Sequence, residues 1–270
     1  MKIAIIQISD IHLKEENVEW VNNRFPKLIS AIISVTQEID NAIVLFTGDL
    51  AFSGKVAQYD LMENFLHDLI LRLRESFKST AICMVPGNHD LNLDISEEYD
   101  LDRKTQISQF INDGEISDEK LEIIFKPQDN FFSLANKYNE KYKTENESNN
   151  FIQRCDIQFD NKEINILMLN SSWDFSLDSK QGTLQFPCFL LDKIRADPNS
   201  ELVISILHHP WNWFESENSR ALMSILQERS DLIFTGHEHF ADSFHLMNQK
   251  VNLDYILGGE LRSIDLANDN

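Results

Sequence analysis

The sequence predicts an α/β fold built on a largely parallel sheet. Short continuous apolar runs, among them residues 42–46, 80–85 and 202–207, have the length of buried strands. Longer stretches between them carry apolar residues at helical spacing. This alternation requires crossover units, whose helices cover the strands and let them be apolar on both sides. A third observation is the length, 270 residues, enough for one large α/β domain with a substantial core.

Taken in order, residues 2–8 form the first strand and residues 18–39 a helix. Its apolar positions include Val21, Phe25, Leu28, Ile29, Ile32 and Val35. Residues 42–46 are a strand ending in Thr47-Gly48-Asp49-Leu50. Residues 58–77 are an amphipathic helix with Leu61, Phe65, Leu66, Leu69 and Leu73 on one face. Residues 80–85 are a strand ending in Pro86-Gly87-Asn88-His89-Asp90. Residues 91–150 change character. They are polar and acidic, with helices expected at 102–112, 118–124 and 125–142 and an exposed loop tip at 143–150. The segment is expected as a helical insertion, either over or beside a site or as a surface excursion. Strands at 151–159 and 163–169 follow, joined by a hairpin-like turn. A short helix starts near Pro187. The strand 202–207 ends in His208-His209-Pro210, a helix spans 219–229, and the strand 231–235 ends in Gly236-His237-Glu238-His239. Residues 242–247 and 251–257 pair antiparallel, and 261–266 can begin another strand.

The composition narrows the function classes. The apolar fraction is 42%, and no apolar run approaches the roughly 18–20 residues of a membrane span. Asp10 and His12 interrupt the apolar N-terminus too early for a signal peptide, so a cytoplasmic protein is expected. Cys83, Cys155 and Cys188 are scattered and odd in number, which points to buried thiols and not to a disulfide framework. A net charge of −20 disfavours broad nucleic-acid binding, which needs clustered Lys and Arg. It does not exclude a phosphate substrate, because carboxylate-bound cations reverse the field within a cleft.

Five strand-end turns carry the chemistry: Asp10/His12, Asp49, Asn88/His89/Asp90, His208/His209 and His237/His239. Ligand sites in α/β folds gather beyond the carboxyl ends of strands. Together the turns offer nitrogen and oxygen donors without sulfur, a set that suits Mn, Fe, Zn or Ni. Gly48 and Gly87 let the chain fold tightly where strand gives way to loop. Asp49 has two carboxylate oxygens with which to bridge two ions. Asn88 adds a neutral oxygen. His237 and His239 can splay toward different ions. His209 can orient His208, touch substrate or be structural. Trp173, Trp211, Trp213 and Phe214 follow strand ends and can either stack on a base or pack in the core.

Asp10-x-His12, Gly48-Asp49, Gly87-Asn88-His89-Asp90, His208 and Gly236-His237-x-His239 resemble, in order and over nearly the whole chain, the signature of the calcineurin-like metallophosphoesterases. The resemblance implies a four-layer α/β/β/α sandwich around two divalent metal ions, manganese first, with Fe, Zn or Ni as alternatives. It implies Asp10, His12, Asp49 and His239 as ligands of one ion, and Asp49, Asn88, His208 and His237 as ligands of the other. It implies His89 near the leaving group, oriented by Asp90, with these two as the catalytic pair. The implied reaction is hydrolysis of a phosphate ester by a hydroxide that the two metals activate. A phosphodiesterase acting on a nucleotide-type ester leads the ranking. Alternatives are a DNA or RNA nuclease, for which Lys137, Lys141 and Lys143 are the modest basic candidates, a phosphomonoesterase, and a catalytically silent interaction module. The expected partner is a phosphate-ester substrate, nucleotide or nucleic acid, with no membrane. The chain is expected as one domain over 1–270, with room for a further domain or partner protein if it belongs to a longer polypeptide.

Overall fold

The structure, a computed structural model, describes residues 2–139, 149–194, 200–247 and 251–261. Strands β1 (Ile3–Ile8), β2 (Asn41–Thr47) and β3 (Ser79–Val85) pair in parallel, in that order. Helices α1 (Val18–Val35) and α2 (Val56–Arg74) make the crossovers. Helix α1 stops short of the expected residue 39. The Thr36 hydroxyl donates to the Ile32 carbonyl, and Glu38 turns the chain with a φ of 65°.

A second sheet contains β4 (Ile152–Phe159), β5 (Lys162–Leu169), β6 (Leu202–Leu207), β7 (Leu232–Thr235), β8 (Asp242–Met247) and β9 (Asn252–Leu257). Their order is β4-β5-β6-β7-β9-β8, with β4 and β8 antiparallel at the edges. The strand alternation alone read as one sheet, whereas the chain builds two. The inner faces meet through Ile43, Leu45, Cys83 and Val85 on one side and Cys155, Ile166, Ile204 and Ile206 on the other. Strands apolar on both faces therefore have a helix layer on one face and the other sheet on the other. The result is the four-layer α/β/β/α arrangement.

The segment after β3 completes both helical layers. Helices α3 (Glu97–Asp113) and α4 (Asp118–Phe125) bury Ile107, Phe110, Ile124 and Phe125 against Ile152, Leu167 and Trp173 of the second sheet's side. Pro127 interrupts the expected 125–142 helix with a 3₁₀ turn. Helix α5 (Asp129–Asn139) then places Phe131, Leu134 and Ala135 in the core beneath the first sheet. Fully buried Arg103 of α3 donates to the carbonyls of Ile124, Trp173 and Phe175, fixing α3 to the loop after β5. A further helix, α6 (Ser216–Arg229), starts earlier than expected because the Glu215 carboxylate accepts the Glu217 and Asn218 amides. The helix near Pro187 is a 3₁₀ segment, Cys188–Lys193. Most of the expected loop tip at 143–150, and the strand expected at 261–266 beyond Leu261, lie outside the described residues.

Candidate metal centre

All five turns sit at the carboxyl ends of parallel strands: β1, β2 and β3 in one sheet, β6 and β7 in the other. The ends converge. Asp10 N–H donates to Gly48 O, and the Ile11 and His12 amides donate to Asp49 O. Gly236 N–H donates to His208 O, and His237 N–H donates to Asp10 Oδ2 across the two sheets. Asp10, His12, Asp49, His237 and His239 all have positive φ, between 48° and 72°. That region is uncommon for residues with a Cβ, and such strain clusters at functional sites.

Two groups of side chains result, sharing Asp49. In the first, His12 Nε2 lies 3.2 Å from His239 Nε2, 3.9 Å from Asp10 Oδ1 and 3.8 Å from Asp49 Oδ2. His239 Nε2 is 3.3 Å from Asp10 Oδ1. In the second, His208 Nε2 lies 3.4 Å from Asp49 Oδ2, 3.1 Å from Asn88 Oδ1 and 3.1 Å from His237 Nδ1. His208 Nδ1 donates to the Thr47 carbonyl at 2.8 Å, which fixes the ring's orientation. Gly48 and Gly87 make the approach feasible. A Cβ on Gly48, whose φ is 93°, would lie 2.5 Å from His208 Nδ1, and one on Gly87 would overlap Asp49 Oδ1.

The donor set fits divalent cations. Asp10 Oδ1 and His12 Nδ1 are buried without a hydrogen-bond partner among the described residues, and the Nε2 atom of His12 faces other acceptors. Burial pushes His12 down to about 4, and burial with the neighbouring His208 pushes His237 down to about 3. Both rings thus keep lone pairs free at neutral pH, the form that binds metal. Burial disfavours charge on Asp49 and His208 alike, but their mutual attraction prevails. Asp49 is held well below the carboxylate range, and His208 is raised to about 9. The Asp10 carboxylate likewise raises His239. The carboxylates thus draw positive charge into both groups.

The expected catalytic pair needs a correction. Asp90 does not orient His89 directly. His89 Nδ1 is held by the Phe52 carbonyl at 2.7 Å, while its backbone N–H donates to Asp49 Oδ1 at 2.8 Å. The fully buried Asp90 carboxylate instead accepts the amides of Leu50, Ala51 and Gly87 and the Tyr59 hydroxyl. The Asp90 carboxylate is linked to the His89 ring through the backbone of residues 50–52, which it holds at Leu50 and Ala51 and which ends in the Phe52 carbonyl. The reason is topological, because the 3₁₀ turn Asn88–Asp90 buries Asp90 beneath the β2 loop. Burial and the nearby Asp49 charge push Asp90 up to about 6.

His209 is fully buried, with Nδ1 at 3.0 Å from Ser171 O, and its ring packs against Phe175 and His237. Trp173 and Phe214 are buried in the core. Trp213 meets His237 edge-on at 4.1 Å and donates to Glu238 Oε1, and Trp211 is exposed. Of the basic candidates, Lys137 pairs with Glu63 of α2, and Lys141 and Lys143 lie outside the described residues. Sequence reasoning missed Phe52, Tyr59 and Glu260. Tyr59 reads as an apolar position of α2. The Glu260 carboxylate lies 3.7 Å from His239 Nδ1, and Leu257-Gly258-Gly259-Glu260 repeats the pattern of apolar strand, glycine turn and polar residue. A cavity of about 440 Å³ borders His89, with Phe52, Leu93, Phe175 and Leu177 in its walls. A second, of about 230 Å³, borders the His237–His239 turn and includes Trp211 and Phe240.

The family model for calcineurin-like phosphoesterases matches residues 3–241. Among curated relatives, the uncharacterized metallophosphoesterase-like protein YydB of Bacillus subtilis is 26% identical over 294 residues, covering 100% of this chain and 58% of that protein. Probable cyclic nucleotide phosphodiesterases of Vesicomyosocius okutanii and Coxiella burnetii are 29% and 28% identical over 110 and 101 residues. Those matches cover 41% and 36% of this chain and 42% and 37% of the relatives. The matches thus cover less than two thirds of each of these relatives.

Proposed function

The chain belongs to the calcineurin-like phosphoesterases, and on that premise we propose that it is a two-metal phosphodiesterase acting on an ester of nucleotide type. One observation carries the reading: Asp49 Oδ2 stands between His12 Nε2 and His208 Nε2, so one carboxylate serves two groups of donors. Asp10, His12, Asp49 and His239 would hold one divalent ion, and Asp49, Asn88, His208 and His237 the other. The resemblance puts manganese first, and the nitrogen and oxygen donors also suit Fe, Zn or Ni. When bound, the ions supply Lewis acidity toward the phosphoryl oxygens and a hydroxide nucleophile at neutral pH.

The chain's own groups supply the rest. Phe52 O accepts from His89 Nδ1, so Nε2 is the atom that, in the cationic ring, would give its proton to the departing oxygen and leave the ring neutral. Asp90, through Leu50 and Ala51, holds the backbone that presents Phe52. The cavity beside His89 takes the leaving group. The cavity beside the His237–His239 turn takes the retained arm. A monoester has only one substituent to place, so two flanking cavities favour a diester. The two relatives named as cyclic nucleotide phosphodiesterases support the same class. The three free cysteines suit the cytoplasm.

The test is a substrate panel with added manganese: bis-p-nitrophenyl phosphate, p-nitrophenyl phosphate, cyclic nucleotides, and single- and double-stranded DNA. Turnover of the diesters above the monoester is expected. Metal binding without turnover of any substrate would sink the proposal. Cleavage of DNA but not of small diesters would put a nuclease first.

A further inference from the structure

Large apolar side chains seldom gather at a protein surface without a ligand or partner. Here Trp211 is 39% exposed and Phe240 is 71% exposed, and both line one cavity. Register explains the floor of that cavity. Phe244 of β8 pairs with Tyr255 of β9, and their rings stack at 4.8 Å with 14° between planes. Trp211 leans on both, its centroid 5.2 Å from Phe244 and 5.3 Å from Tyr255. Chain connectivity places the cavity beside the metal centre. Trp211 follows His209 by two residues, Phe240 directly follows His239, and Glu238 lies between the two histidines.

The volume, about 230 Å³, is below the roughly 300–1,000 Å³ that encloses a whole drug-sized ligand, so the cavity suits one part of a substrate. Its polar fringe is dominated by acceptors. Glu238 and Asp242 are carboxylates, and Asn212 turns its amide N–H toward Glu238, leaving its oxygen as an acceptor. Trp213 Nε1 donates to the same Glu238 oxygen at 3.0 Å and steadies it. Flat aromatic walls with acceptors at the rim match a flat heterocycle that carries an exocyclic amine.

We propose that this cavity is a subsite for the amino-bearing nucleobase of the substrate, with Trp211 and Phe240 as stacking walls and Glu238 as acceptor for the exocyclic amine. The inference rests on the phosphodiesterase reading and names the arm retained on phosphorus. The subsite determines specificity and takes no part in bond breaking.

Two esters with the same leaving group provide the test: adenosine 5′-(p-nitrophenyl phosphate) and methyl p-nitrophenyl phosphate, each with manganese. Stacking contributes about 1–3 kcal/mol per base by alanine substitution, which is about 5- to 150-fold. Trp211→Ala and Phe240→Ala should therefore raise KM for the adenosine ester at least about 5-fold. Turnover of the methyl ester should stay within about 2-fold, as expected for residues outside the reacting centre. An unchanged KM for the adenosine ester in both variants overturns the subsite while leaving the phosphodiesterase reading intact. If wild-type protein hydrolyses neither ester, that reading fails, and binding decides the subsite alone. Adenosine should then quench tryptophan fluorescence in wild type and not in Trp211→Ala. Quenching by choline chloride with no response to adenosine would make the cavity a cation cage and overturn the proposal.

Discussion

Tyr59→Phe is the sharpest probe of how the site is held. Tyr59 is buried in α2, and its hydroxyl donates to Asp90 Oδ1 at 2.9 Å. The substitution removes one hydroxyl and keeps the ring, so packing is conserved. A hydrogen bond to a charged group contributes about 1.5–3 kcal/mol. Asp90 Oδ1 keeps the Ala51 amide at 2.9 Å, so the carboxylate is weakened and not orphaned. The expected loss is about 1.5–3 kcal/mol, or about 3–10 °C in Tm for a chain of this size. Urea unfolding followed by circular dichroism measures it. The same change loosens residues 50–52, which hold His89 Nδ1 through the Phe52 carbonyl. Turnover should fall about 2- to 10-fold with KM unchanged, because orientation and not binding is lost. A stability change below about 0.5 kcal/mol together with wild-type turnover would refute the strut running from Tyr59 through Asp90 to His89.

Other perturbations separate the remaining parts. Asp49→Asn should abolish the second manganese equivalent in a titration and lower turnover by at least about 100-fold, since even an outer partner of a ligand typically contributes 10–100-fold; two ions bound with normal affinity would refute the shared ligand. Gly48→Ala forces a Cβ to within 2.5 Å of His208 Nδ1 at a φ of 93°. It should cost about 1–3 kcal/mol in strain and weaken manganese binding, and an unaltered isotherm would contradict the packing. Asp174, half-buried with its Oδ1 shut away from solvent, is pushed up to about 7 from its ordinary 3.8 by that burial. The folded carboxyl keeps its proton across that window while the unfolded one releases it. Stability should therefore fall as pH rises from about 4 to about 7, by about 4 kcal/mol in all. Asp174→Asn should gain on wild type between pH 5 and pH 8 in urea unfolding, and parallel pH profiles for the two proteins would refute the assignment.

The strands and most helices were legible because burial writes itself into residue patterning. Leu45 and Cys83 looked like any apolar strand residue, however, and nothing local distinguishes a neighbour in the opposite sheet from one in a helix. The division into two sheets came only from the resemblance. The candidate ligands were legible for a different reason: each turn couples a glycine or a strand end to Asp, Asn or His. What escaped were contacts made through the backbone. Phe52 acts by its carbonyl, which every residue possesses, and Tyr59 occupies a position of α2 where an apolar residue would serve the packing equally well. Asp90 is visible in the sequence, but the pairing with His89 that the resemblance implies is not made, because the turn geometry directs the carboxylate inward. Glu260 follows the same strand–glycine pattern as the other turns and was overlooked because it stands alone.

The split between sheets sets an order in time as well as in space. On the ribosome, Asp10, His12, Asp49 and Asn88 emerge with the first sheet, while His208, His237 and His239 arrive with the second. About 150 residues separate Asn88 from His239, which at about 5–20 residues per second is roughly 8–30 seconds of synthesis. Until His208 is made, the candidate ligands already synthesised are three oxygen donors and one imidazole, that of His12, a poor cage for a transition metal. The three late histidines complete both candidate groups together when the second sheet docks, so neither set of donors is whole before the core has closed.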